Sequence, residues 1–187
     1  MFFLGILSFI LFFLSDLNDV FFRKNTLRFL FPLGALLLII SVGFQAFSHA
    51  AAASLPIKLI FNLCALIFLA LTVYSLFFAI PVNDAYFKPG QKRSVCTVGI
   101  YALCRHPGVL WLSLFFICLS VSTAFSIYSA IAYIVLNVLL ALFEDIVVFP
   151  RLLDGYGEYR EKVPFLIPNA DSIIYCLRFF KNTKKGI

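Results

Sequence analysis

The chain has 187 residues, of which 63% are hydrophobic and only 13% are charged. A water-soluble domain carries roughly twice that charged fraction, so the composition excludes an ordinary soluble protein. The net charge is +6, but the basic residues lie between long apolar runs rather than in one basic stripe, which excludes nucleic acid as the expected partner.

Five apolar runs predict an all-α integral membrane bundle of about five transmembrane helices in a single domain, 1–187. The first run is short unless the helix continues past Asp16 and Asp19 to Phe22. Pro81 closes the third run, and Pro107 suits the first turn of the fourth. The predicted spans are 1–22, 29–47, 57–80, 107–121 and 124–149.

The remaining segment, 150–187, is predicted to be a polar tail with an amphipathic end. Apolar residues recur there at helical spacing beside basic ones, namely Ile173, Ile174, Leu177 and Phe180 with Arg178 and Lys181. This pattern is typical of a helix that lies on a membrane surface, with membrane lipids as its partner.

The basic residues also predict the orientation. If the five helices alternate in direction, fourteen of the 15 lysines and arginines lie on one side and Lys58 alone lies on the other. The positive-inside rule then places the loops around Lys24 and Arg93, and the tail, in the cytoplasm.

The five cysteines are scattered and contain no pair separated by two residues. This spacing predicts free thiols, with neither a disulfide framework nor a metal site.

Charged side chains recur on both sides of the predicted hairpin between spans four and five. His106 and Glu144 lie equally far from its turn, as do Arg105 and Asp145. In a tight antiparallel hairpin these four groups meet at one level, near the cytoplasmic interface. Two interpretations stay open, a salt bridge that locks the hairpin and a site for a zwitterionic ligand.

The ordered set of residues resembles a known family. The stretch from Val95 to Pro107, with Gly99, Tyr101 and Arg105-His106-Pro107, precedes an apolar hairpin; Glu144-Asp145, Tyr156, Tyr159 and Val163-Pro164 follow it. This order, over residues 90–168, is similar to the isoprenylcysteine carboxyl methyltransferases and their phospholipid-methyltransferase relatives.

The resemblance implies a membrane enzyme that binds S-adenosylmethionine at its cytoplasmic mouth and methylates a lipid-like acceptor. It implies catalytic roles for Arg105 and Glu144. The cofactor-binding residues that we carry over are Val95, Cys96, Tyr101, His106, Pro107, Gly108, Val109, Glu144, Asp145, Tyr156 and Tyr159.

The chain departs from the family pattern at several positions, among them Val109, Trp111, Leu140 and Leu153. Leu140 stands where prenylcysteine enzymes tend to carry an arginine for the acceptor's carboxylate. We therefore expect another lipid or a small hydrophobic molecule as the acceptor. The terminal Lys184-Lys185 would be an endoplasmic-reticulum retrieval signal in a eukaryote, but we expect it to be the solvated end of the surface helix and the location to be a bacterial plasma membrane.

Two other functions stay open from the sequence. Steroid-reductase-like membrane proteins have a similar hairpin and use NADPH, although Lys92, Arg93 and Arg105 are the only evident phosphate-binding residues here. A non-catalytic membrane scaffold would keep only the hairpin salt bridge.

Overall fold

The computed structural model describes residues 1–47, 54–79 and 92–183, and most of them are helical. The helices are α1 (Phe2–Leu17), α2 (Leu30–Phe47), α3 (Leu55–Phe77), α4 (Pro107–Ser122), α5 (Ile127–Phe143), α6 (Tyr156–Lys162) and α7 (Ala170–Thr183). Two-residue strands, β1 (Arg93–Ser94) and β2 (Leu153–Asp154), pair in parallel.

The prediction of an all-α protein is confirmed. In the part of the chain that the structure describes, four helical stretches are long and apolar enough to cross a membrane: Phe2–Phe22, Asn25–Phe47, Leu55–Phe77 and Ile127–Leu152. The fourth predicted span is the shorter apolar helix Pro107–Ser122.

The predicted boundaries need small corrections at the turns. The third helix ends at Phe77, before the predicted end at Ile80, which lies outside the described residues. The fifth begins at Ile127 and not at Ala124, because residues 123–126 form the turn, in which the Thr123 hydroxyl accepts a hydrogen bond from the Phe125 amide (3.1 Å). Beyond Phe143 the helix continues as a π-helical turn, Glu144–Val148, and a further turn, Phe149–Leu152.

The described residues divide into two compact units. Unit 1 comprises Met1–Leu69 and Leu112–Val148, and unit 2 comprises Ala70–Trp111 and Phe149–Ile187. We describe each by itself, and the single membrane domain stays a prediction.

Unit 1 has an aromatic core. Phe9, Phe116, Phe125 and Tyr133 are buried together, and the rings of Phe116 and Tyr133 lie 5.7 Å apart between centroids. These two residues are equally far from the α4–α5 turn to within a residue. The core therefore has the hairpin register that the sequence predicts.

A polar network ties α1, α2 and α5 together beside this core. The buried Tyr133 hydroxyl lies 2.9 Å from Ser41 Oγ, and it donates to the Phe2 carbonyl at 3.0 Å. Gln45 Nε2 donates to the same hydroxyl at 3.1 Å, and Ser129 Oγ donates to Gln45 Oε1 at 2.7 Å. Where no water can reach polar side chains, hydrogen bonds between apolar helices satisfy them instead.

The connection between α1 and α2 is fixed by one buried asparagine. Asn18 accepts from the Lys24 amide at 2.9 Å and donates to the Lys24 carbonyl at 3.1 Å. Between them Arg23 adopts a left-handed conformation with φ of 52°. The helix therefore continues through Asp16 and Asp19 and turns sharply at Arg23.

Candidate functional site

Most of the sequence-predicted site residues lie in unit 2, where the segment before α4 meets the segment after α5. This group contains Val95, Cys96, Tyr101, Arg105, His106, Pro107, Gly108, Val109, Tyr156 and Tyr159. Glu144 and Asp145 lie in unit 1.

The strand pair fixes the first contact of unit 2. Arg93 is in register with Leu153 and Ser94 with Asp154, and the Val95 amide donates to the Asp154 carbonyl at 3.1 Å. Gly155 then takes a positive φ of 77°, which glycine adopts without strain, and begins α6. The predicted position Val95 is thereby held beside the start of α6.

Tyrosine hydroxyls fix the second contact. Tyr159 Oη donates to the Tyr101 carbonyl at 2.7 Å, and Tyr101 Oη donates to the Ser75 carbonyl in α3 at 2.9 Å. Burial raises the pKa of Tyr159 above its ordinary value, so its hydroxyl keeps the proton that it donates. The two tyrosines join α6, the segment Gly99–Ala102 and the end of α3.

Arg105 makes the third contact and acts as a clamp. Its backbone amide donates to the Pro164 carbonyl at 2.9 Å, and its Nη1 donates to the carbonyls of Arg160 (2.6 Å) and Val163 (3.1 Å). The last carbonyls of a helix have no partner within the helix, and a guanidinium at that end satisfies them. Its predicted catalytic role stays a prediction, but these contacts give Arg105 a role in holding α6 in place.

His106 is 5% exposed and packs between two phenylalanines. Its ring is stacked on Phe149 with centroids 5.5 Å apart, and it meets the edge of Phe165 at 5.0 Å. Its backbone amide donates to the Phe165 carbonyl at 3.2 Å, and its carbonyl accepts from Leu110 in the first turn of α4.

The aromatic rings around His106 continue into α6. Phe149 meets Tyr156 at 5.4 Å between centroids, and Tyr156 meets Tyr159 at 5.9 Å. We call these rings the aromatic cluster: His106, Phe149, Tyr156, Tyr159 and Phe165. Aromatic faces attract a cation, and they do so most strongly where water is excluded.

Sequence reasoning identified three members of this cluster and overlooked the other two as site residues. Phe149 was assigned to the apolar end of span five, and Phe165 to a general return of apolar residues to the interface. The available signal for Phe149 is its position just over one helical turn after Glu144-Asp145. No comparable spacing marks Phe165, because it reaches His106 through the turn after α6.

Cys104 is fully buried beside the motif residues. Burial, the largest of several causes, raises the pKa of its thiol to about 12. The thiolate, which is the nucleophilic form, is therefore absent near neutral pH.

The predicted acids lie in the π-helical turn of unit 1. Asp145 is buried and Glu144 is half-buried, and the π-helical turn that carries them packs on α1, where Glu144 is a close neighbour of Asp16. Sequence reasoning treated Asp16 only as an obstacle to the first span. The proposed meeting of Glu144 with His106 stays a prediction.

Comparisons with family models, curated proteins and solved structures found no match to this chain.

Proposed function

We propose that the chain is an integral membrane protein with five crossings, and that the loops around Lys24 and Arg93 and the tail lie in the cytoplasm. Four long apolar helices and the shorter α4 support this proposal. So do large apolar side chains that remain open to the surroundings: Ile39, Leu66 and Leu139 are 68%, 65% and 56% exposed. Exposed apolar surface of that extent suits lipid rather than water.

We further propose that it is a methyltransferase that uses S-adenosylmethionine and acts on a lipid-like or small hydrophobic acceptor at the cytoplasmic face. The observation that carries this proposal is the aromatic cluster. Its rings come from the segment before α4 and the segment after α5, the two parts of the chain that resemble the family, and unit 2 brings them together. A sulfonium is a cation with little capacity for hydrogen bonding, so aromatic faces are its natural partners.

In this proposal different residues of the chain bind the different charged groups of the cofactor. The aromatic cluster of unit 2 would take the sulfonium, and the resemblance assigns the α-ammonium to Glu144 and Asp145. The segment from Val95 to Tyr101 and the first turn of α4 line the remainder. Arg105 positions α6 and thereby the rings of Tyr156 and Tyr159.

The transfer itself is a displacement in line. When bound, S-adenosylmethionine would supply an activated methyl group to a nucleophilic atom of the acceptor. The protein accelerates such a step mainly by holding donor and acceptor in contact and in line.

Binding of S-adenosylmethionine to the detergent-purified protein tests the proposal. We expect saturable binding by calorimetry, weakened roughly tenfold to hundredfold by Glu144→Gln because a charge-assisted hydrogen bond is lost. Glu158→Gln removes an acid whose side chain is 84% exposed in a weak surface pair and serves as the matched control. Absence of binding at millimolar cofactor would end the proposal, and thermal stabilisation by NADPH alone would favour the reductase.

The role of the rings is measured by comparing two ligands. S-adenosylhomocysteine lacks the positive sulfur, so the aromatic cluster should prefer S-adenosylmethionine to it. Phe149→Leu should reduce this preference by roughly twofold to thirtyfold, the range of cation–π energies. Phe3→Leu, at a ring that is 79% exposed, should leave the preference unchanged. An unchanged preference in Phe149→Leu would contradict the assignment.

A further inference from the structure

The helix α7 presents three different faces, and the first is packed. Ser172 and Cys176 are buried and Phe179 is half-buried, at successive helical turns. This face rests on the 3-10 helix Gly99–Ala102, and Phe179 would lie 3.7 Å from a Cβ placed at Gly99. Thus α7 is seated directly on the motif segment that carries Tyr101.

The start of α7 is independently fixed. Asn169 Oδ1 accepts from the Ser172 amide at 2.8 Å, and Ser172 Oγ accepts from the Asn169 amide at 3.1 Å. This reciprocal pair is a capping box, which satisfies free amides at a helix start. The capping box fixes where α7 begins, and the packing on Gly99–Ala102 fixes which face of the helix is covered.

The second face is an apolar strip. Ile173, Leu177 and Phe180 are 42%, 64% and 41% exposed and follow one another at helical spacing. They lie about a quarter of a turn from the packed face. A continuous apolar strip is unfavourable in water, so we expect another surface to cover it.

The third face is basic. Arg178 and Lys181 are both exposed and three residues apart, and they lie on either side of the exposed Ile174, beyond the apolar strip as seen from the packed face. In the sequence, Lys184 and Lys185 follow three and four residues after Lys181. Basic residues along the border of an apolar strip match the arrangement of an anionic phospholipid surface, where acyl chains lie beneath phosphates.

We propose that α7 is a docking surface for anionic phospholipid, with Ile173, Leu177 and Phe180 among the acyl chains and Arg178 and Lys181 at the phosphates. Docking holds the packed face of α7 on the segment Gly99–Ala102. The proposal rests on the proposed membrane insertion and not on methyl transfer.

The depth of the apolar strip is measured with the full-length protein in lipid nanodiscs. The chain has one tryptophan, whose signal in the parent protein is subtracted from that of Leu177→Trp. With lipids brominated on the acyl chains, the introduced indole should be quenched about threefold more than one introduced by Asp171→Trp on the polar side. Equal quenching at the two positions would overturn the proposal.

The charge of the lipid is tested by exchanging phosphatidylcholine for phosphatidylglycerol. Quenching in Leu177→Trp should rise with the phosphatidylglycerol fraction. Arg178→Gln and Lys181→Gln should each lower the ratio of docked to undocked helix about fivefold, whereas Arg178→Lys should retain it. A response that ignores lipid charge would overturn the anionic partner, and quenching that changes with the number of protein copies per disc would assign the strip to a second copy instead.

The packing of α7 on the segment Gly99–Ala102 is measured separately, through the reactivity of Cys176. Burial raises the pKa of this thiol, so it should react slowly with a maleimide while α7 is docked. With Cys64 and Cys96 replaced by serine, the double variant Arg178→Gln/Lys181→Gln should react faster than the parent in phosphatidylglycerol discs. No S-adenosylmethionine is present in these measurements. A negative result would therefore contradict lipid docking of α7 without bearing on the proposed methyltransferase activity.

Discussion

The residue whose role changes most between sequence and structure is Arg105. Its place beside His106 at the start of a predicted span favoured contact with a ligand or with lipid phosphate. In unit 2 its side chain also has a structural role, because it donates to the carbonyls of Arg160 and Val163. No sequence pattern predicts such acceptors, because they are backbone carbonyl oxygens that become available only where α6 ends.

Replacement of Arg105 by lysine tests this structural role. A guanidinium can reach two carbonyls from one nitrogen while lying over a ring, and its carbon is 5.7 Å from the Phe165 centroid. An ammonium is a point charge without that planar geometry. We expect Arg105→Lys to lower the free energy of unfolding by about 1–3 kcal/mol.

Thermal unfolding in detergent measures the effect of Arg105→Lys. Arg28→Lys, at an exposed residue of unit 1, is the matched control and should unfold as the parent does. If Arg105→Lys unfolds like the parent but fails to bind S-adenosylmethionine, then Arg105 acts on the ligand and not on α6.

At the scale of the elements, hydropathy predicted where helices lie, and local chemistry decided where they end. The spans follow from the length of the apolar runs, because lipid requires about 20 such residues. Their ends depend on particular side chains, such as Asn18 bonded to Lys24 and Thr123 bonded to Phe125. These polar contacts within a turn leave little trace in an apolar pattern.

The joining of α1, α2 and α5 depended on residues that the sequence did not mark. Tyr133, Ser41 and Gln45 are ordinary members of apolar runs until the helices pack and their polar atoms meet. Gly5 belongs to the same contact, since a Cβ at this position would overlap the Tyr133 phenol. The glycine is thus needed for close approach of α1 to α5.

Alanine substitution at two helical glycines tests this packing. Gly5→Ala should lower the free energy of unfolding by about 1–3 kcal/mol, because the methyl group displaces Tyr133 from its hydrogen bonds. Gly43→Ala, in α2, meets nothing within 4 Å and should raise it by about 0.5–1 kcal/mol, since alanine favours helix over glycine. Equal changes in the two melting curves would contradict the network.

At the scale of the whole molecule, unit 2 constrains how the chain crosses a membrane. The segment before α4 and the segment after α5 are joined by the strand pair and by the hydrogen bond from Arg105 to Pro164. If the chain spans a membrane as proposed, both segments therefore lie on the same side of the bilayer. It follows that α4 and α5 either both cross the bilayer or both fail to cross it.

The helix α4 is short for a membrane span. Its 16 residues extend about 24 Å, against roughly 30 Å of hydrocarbon. Hydropathy alone leaves such a helix ambiguous, and the pairing of its flanking segments ties its crossing to that of α5. A short helix crosses where the bilayer thins locally, at a modest cost in free energy per ångström.

Cysteine labelling in intact cells measures the crossings directly. In a cysteine-free background, Ser54→Cys and Ser126→Cys should react with a membrane-impermeant maleimide from outside. Asn25→Cys and Glu161→Cys should react only after the cells are broken, because positive-inside orientation places their loops in the cytoplasm. All four positions are exposed in the structure, so burial does not limit their reaction. If Ser126→Cys reacted only in broken cells, like Glu161→Cys, then α4 and α5 would both fail to cross, and the hairpin would lie on the cytoplasmic surface.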